Sequence, residues 1–187
     1  MNRFFEGFWE IFKTILICCA IILPIRYFVA QPFYVKGASM EPNFHEHDYL
    51  LVDEISYRFG APERGDIVVF RYPEDPQEYF IKRVIGLPGE TVTIKDGNVY
   101  VTDSAGNTLR VEENYLPSFS ETVAQSDEPV TLENNQFFLL GDNRNGSKDS
   151  RSFGPVHKNF IIGRVFFRGL PLDKIEFVKS PVYPNAQ

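Results

Sequence analysis

The sequence predicts a mostly β protein with one apolar helical segment at its N-terminus. Three observations predict it. After residue 32 the chain is a series of short runs rich in Val, Ile, Phe and Tyr, broken by turn residues. No long apolar period of 3.6 residues follows residue 35. Before that, residues 14–34 read TILICCAIILPIRYFVAQPFY, which is nearly continuous apolar chain. At 187 residues the chain suits one domain plus an attachment. A hydrophobic fraction of 43% is ordinary for a globular protein and excludes disorder of the whole.

The N-terminal segment is the first element. Ile15–Ile25 is an eleven-residue apolar run, and Arg26 interrupts it before Tyr27–Ala30. A helix that crosses a bilayer needs about 20 residues. Residues 8–28 supply that length when Glu10, Lys13 and Arg26 snorkel toward its ends. A cleaved leader needs a small-residue cleavage site, and Ala30-Gln31-Pro32 is a poor one because proline follows. A buried core helix rarely begins a chain with such a run. The expectation is therefore an uncleaved signal anchor: residues 1–30 form a cytoplasmic stub and a single transmembrane helix, and residues 31–187 form a β-rich domain on the outer face. Arg3 and Lys13 set this orientation, since acidic residues contribute little to it.

Charge agrees with that division. Of the net −6, residues 1–30 contribute +1, which leaves −7 on the remainder. An acidic body argues against nucleic acid as a partner, because phosphates attract basic faces. The two cysteines, Cys18 and Cys19, are adjacent inside the apolar run, so the rest of the chain has neither a disulfide nor a thiolate metal site.

Candidate strands follow in order: Tyr49–Val52, Asp66–Arg71, Glu78–Ile85, Thr91–Lys95, Asn98–Thr102, Asn107–Val111, Gln136–Leu140 and Ile161–Phe167. Asp96-Gly97 between two alternating runs is a hairpin signal. Residues 112–131 are polar, acidic and contain proline, and read as a surface loop.

Three clusters carry chemistry. In Gly37-Ala38-Ser39-Met40-Glu41-Pro42 the serine sits on constrained backbone. Read alone it is either a turn cap or a nucleophile whose own N–H serves as an oxyanion donor. In Tyr79–Gly89, Lys82 lies mid-strand among large apolar residues. Strand alternation puts Lys82 and Arg83 on opposite faces, so one of them is expected to face inward. A buried lysine loses its proton readily and then serves as a general base; on an edge strand the same charge blunts aggregation. The third cluster, Gly141–Arg151, is a dense polar loop after an apolar strand, built either to be rigid or merely to be solvated. His45 and His47 share one side of an extended segment but lack a further ligand, and no metal site is predicted. No Asp–His pair near Ser39 has motif character. That leaves Ser39 and Lys82, 43 residues apart and so unlike an S-x-x-K arrangement.

Together these blocks resemble bacterial type I signal peptidases. The resemblance runs through Gln31-Pro32-Phe33, the Gly-x-Ser-Met-x-Pro block, Gly65–Phe70, Ile81–Gly89 and Gly141–Val156, from about residue 8 to 170. It implies a partly barrel-like antiparallel β catalytic domain, with an apolar face resting on the membrane. It implies Ser39 as nucleophile, Lys82 as general base, Ser147 as the serine that orients the amine, and Asp149 with Arg151 as a supporting ion pair. Phe33, Val35, Met40, Phe44, Phe80 and Ile81 would line pockets for small side chains before the cut. The implied partners are signal-peptide-bearing preproteins and the lipid bilayer, at the bacterial cytoplasmic membrane with the catalytic domain outside; no cofactor or metal is required. Gly37 stands where some members have a serine that helps the oxyanion hole. Two other readings, a self-cleaving repressor-type Ser–Lys protease and a non-enzymatic membrane-tethered module, fit the anchor and the joint presence of Ser39, Lys82 and Ser147 less well.

Overall fold

The structure, a computed structural model, describes residues 2–24, 30–126, 128–181 and 183. Helix α1 spans Asn2–Pro24. Along it Phe8, Trp9, Ile11, Phe12, Ile15, Leu16 and Ile17 are exposed. Among the described residues no helix is long and apolar enough to cross a membrane. The segment expected as anchor, residues 8–28, extends beyond α1 into residues 25–28, which lie outside the described residues.

The body is antiparallel β. Its strands are β1 (Ala30–Tyr34), β2 (Tyr49–Asp53), β3 (Ile67–Tyr72), β4 (Asp75–Gly86), β5 (Thr91–Lys95), β6 (Asn98–Thr102), β7 (Thr108–Arg110), β8 (Val130–Thr131), β9 (Gln136–Leu140), β10 (Val156–His157), β11 (Ile161–Leu170) and β12 (Glu176–Phe177). One sheet runs β1-β2-β11-β3-β4-β9-β10, with β12 on β11, and a smaller sheet runs β7-β6-β5-β8. The larger sheet is an open path: β1 pairs with β2 and β10 with β9, so among the described residues the expected barrel is not closed. The stretch between Lys82 and Gly141 accommodates the whole smaller sheet: β5, β6 and β7 follow one another as hairpins, and β8 returns through a long loop to pair with β5. Asp96 and Gly97 turn the first of them at φ 49° and 74°, the left-handed geometry that a two-residue hairpin demands.

The continuous apolar runs of β3, β4 and β9 have a plain cause: these strands are buried on both faces. In β3, Ile67 and Val69 pack with Val35, Met40, Phe44, Leu50, Val52 and Val165 on one face. Val68 and Phe70 pack on the other with Val84, Phe137, Leu139 and Val156. A third cluster joins the two sheets, with Ile85, Phe138 and Leu140 meeting Val92, Val99 and Val101. Two four-residue helices, Ser56–Phe59 (α2) and Ser150–Phe153 (α3), and the 3-10 turns Lys158–Phe160 and Leu172–Lys174 also belong to the body.

Candidate active site

β4 places the central residue. It pairs with β3 along its length, Val68 opposite Lys82 and Val69 opposite Ile81. On its other side it pairs with β9 only from Arg83 to Gly86. Among the described residues, 78–82 therefore present an unpaired strand edge. Beside it lies a cleft of about 670 Å³, walled by Phe33–Ser39 on one side and Glu78–Lys82 on the other, with Leu50 and Val69 beneath and Gly146 and Lys148 at the rim.

Lys82 is 3% exposed. Its Nζ donates to Ser39 Oγ at 2.8 Å and to the Ile81 carbonyl at 2.8 Å. Burial drives its pKa from 10.5 down to about 8, against the opposing pull of Asp149 and Asp142. Arg83 is buried as well, which corrects the expectation that only one of the pair faces inward: β4 has a core on each face. Its guanidinium grips Asp142 with two bonds, Nε to Oδ1 at 2.9 Å and Nη2 to Oδ2 at 2.7 Å, and donates a third to the Gly65 carbonyl at 3.0 Å. The Tyr115 ring covers it, with its centroid 3.8 Å from the guanidinium carbon.

The serine turn is strapped to the polar loop. Asn143 donates its backbone N–H to the Ser39 carbonyl at 3.0 Å and its side-chain amide to the Ala38 carbonyl at 3.0 Å. Asn43 donates to Asp142 at 2.8 Å and to the Tyr115 carbonyl at 3.0 Å. Asp142 thus ties the serine turn, through Asn43, to the lysine strand, through Arg83. Among the described residues the Ser39 N–H makes no hydrogen bond.

Asp149 is fully buried and takes Arg151 in a two-bond grip at 2.8 Å for each bond, while also accepting from Arg151 N at 3.3 Å and Gly141 N at 3.1 Å. Arg151 donates onward to the carbonyls of Val123 and Arg144. The pair therefore cross-links the loop and caps α3, with no direct bond to Lys82. Ser147 behaves otherwise than expected: among the described residues its buried Oγ has no hydrogen-bond partner, so its anticipated bond to the lysine amine is not formed here. It is nonetheless close to Ser39. A side chain on Gly141 would collide with both Ser147 Oγ and the Ser39 carbonyl, so only glycine lets the loop approach.

Of the expected pocket residues, Phe33, Val35, Phe80 and Ile81 line the cleft. Met40 and Phe44 do not. They are 1% and 3% exposed and pack into the core with Leu50 and Val52, beneath the serine turn rather than beside a substrate. Leu50, Val69 and Tyr79 line the cleft instead. The sequence assigned no role to Asn43, Arg83, Asp142, Asn143 or Tyr115. Only Arg83 and Asp142 carried a signal, a charge inside an apolar strand and an acid just after another.

The signal peptidase family, peptidase S26, matches by its profile over residues 8–185. This chain belongs to that family. It is thereby a serine endopeptidase of the type I signal peptidase class. A probable signal peptidase I of Synechocystis sp. is 40% identical over 177 residues, covering 91% of this chain and 77% of that protein. A signal peptidase I of Leptolyngbya laminosa is 41% identical over 90% of this chain and 83% of its own length. One from Bacillus amyloliquefaciens is 33% identical over 96% of this chain and 94% of its own. The profile's extent takes in the serine turn, the lysine strand and the polar loop alike. Among the described residues no group of His, Cys, Asp and Glu is arranged to hold a metal.

Proposed function

We propose that this signal peptidase removes N-terminal signal peptides from exported preproteins at the bacterial cytoplasmic membrane, with Ser39 as nucleophile and Lys82 as general base. The observation that carries the reading is the 2.8 Å contact between Lys82 Nζ and Ser39 Oγ at the edge of an apolar cleft. A lysine whose pKa is lowered to about 8 is neutral in a useful fraction of molecules near physiological pH. The neutral amine accepts the hydroxyl proton, and Oγ attacks the carbonyl before the cut. The Ser39 N–H, which makes no hydrogen bond among the described residues, is the donor available to the developing oxyanion. The ammonium then gives its proton to the departing amine, leaving an ester on Ser39. Water, deprotonated by the same amine, releases the peptide. Ser147, close by and without an internal partner, orients the amine when substrate displaces the Ser39 contact. Asp149 and Arg151 hold the loop that carries it.

Specificity follows from the cleft. A substrate that adds to the unpaired edge of β4 runs extended and alternates its side chains between two faces. The residue just before the cut and the one two earlier in the chain then turn toward Phe33, Val35 and Ile81. Those walls admit Ala, Gly or Ser; a charged residue there is buried unpaired. Anchoring comes from residues 1–30, with residues 31–187 on the outer face. The exposed Leu170, Leu172, Ile175 and Phe177 form the apolar surface toward the bilayer.

The test is incubation of the detergent-solubilised full chain with a preprotein that has Ala at the first and third positions before its cut. The product's N-terminus should lie directly after the second Ala, and Ser39→Ala should give none. Equal cleavage by Ser39→Ala, or a cut elsewhere, contradicts the reading.

A further inference from the structure

Apart from Lys82, the charged residues lining the cleft among those described are Lys36, Glu78 and Lys148. Lys148 differs from the others in being held in place. Its Nζ sits 4.4 Å above the Tyr72 ring, and that ring stacks on Phe80 at 4.6 Å between centroids. Its side chain is nevertheless 56% exposed, and among the described residues its one ionic neighbour is Glu74, loosely placed at 3.6 Å. The hydroxyl of Tyr72 and then the charge of Glu74 keep it protonated, above the ordinary lysine range. A fixed cation thus stands on the Phe80–Lys82 side of β4, opposite the side where Phe33, Val35 and Ile81 wall the pockets.

Strand alternation assigns this side a substrate position. When the first and third residues before the cut face Ile81, the second faces Phe80. We infer that Lys148 reads the charge of that second residue, favouring an acidic side chain there and disfavouring a basic one. The inference rests on the proposed peptidase reading and deepens it. The position is open to solvent, so the selection is graded: a unit charge about 4 Å away in a solvated site changes the rate by roughly fivefold. Glu74 opposes the preference, because it offsets part of the Lys148 charge.

Three peptides that differ only at the second position before the cut, carrying Glu, Gln or Lys there, test this on the solubilised full chain. The ratio of kcat/KM for the Glu peptide to that for the Lys peptide is read within each enzyme, so overall losses cancel. In the wild type at low salt the Glu peptide should lead the Gln peptide by about fivefold and the Lys peptide by about 25-fold, and both leads should shrink as salt rises. Lys148→Glu should reverse the order, and Glu74→Gln should widen the original lead. A ratio unchanged by both substitutions overturns the inference while leaving the peptidase reading intact. Failure of the wild type to cut even the Gln peptide overturns the peptidase reading, and the inference with it.

Discussion

Lys82 and Arg83 are neighbours in one strand, equally buried, and turned by β4 to opposite faces. Arg83 meets a carboxylate that matches its fork, a third acceptor and an aromatic cover, so its charge is permanent and structural. Lys82 meets a serine hydroxyl and one carbonyl; its nearest acids act from a distance, since Asp142 is engaged by Arg83 and Asp149 by Arg151. The same burial therefore makes one cation a rivet and the other a group ready to lose its proton. What separates them is not depth but whether a carboxylate is within reach.

The comparison breaks most visibly in activity. Ser39→Ala, Lys82→Met and Lys82→Arg should each lower kcat/KM by at least about a thousandfold in a preprotein processing assay, because a guanidinium stays protonated and cannot replace the amine. Stability should split the two faces with opposite signs. Arg83→Met leaves Asp142 buried and unpaired, and thermal or urea unfolding should show a loss of about 3–5 kcal/mol. Lys82→Met should do the reverse. The drop from 10.5 to about 8 corresponds to a cost of about 3 kcal/mol for keeping that ammonium buried at neutral pH. Below pH about 8 both folded and unfolded chains hold the proton, and the full cost applies. Between about 8 and 10.5 the unfolded chain holds more proton than the folded one, so wild-type stability rises with pH. The stabilising effect of Lys82→Met should fade over the same window. Ser147→Ala should be milder, about tenfold in kcat/KM with stability kept or slightly raised, since it removes a buried hydroxyl that has no partner.

Much of the strand order was legible because period-2 patterns and turn residues are local. Thr91–Lys95, Asn98–Thr102 and Gln136–Leu140 match their predicted bounds, and Asp96-Gly97 turns where it should. The two-residue strands β8, β10 and β12 were not legible, since each exists only as the complement of a longer partner. Nor was the double-sided core of β4, which depends on which strands lie above and below it. That is why Arg83 went unassigned; Met40 and Phe44, which the resemblance put among the pocket walls, sit beneath the serine turn. Ser39 and Lys82 were picked out as types in a pattern, but their meeting across 43 residues is a product of the sheet.

The most direct measurement is the pH dependence of kcat/KM for a peptide with no titratable side chains near its cut. With Lys82 as the base, the rate requires the neutral amine. It should climb about tenfold per pH unit at acid pH, bend at an apparent pKa near 8 and level off above it. A profile that is flat from roughly pH 6 to 10, or that falls as Lys82 loses its proton, would contradict a lysine base.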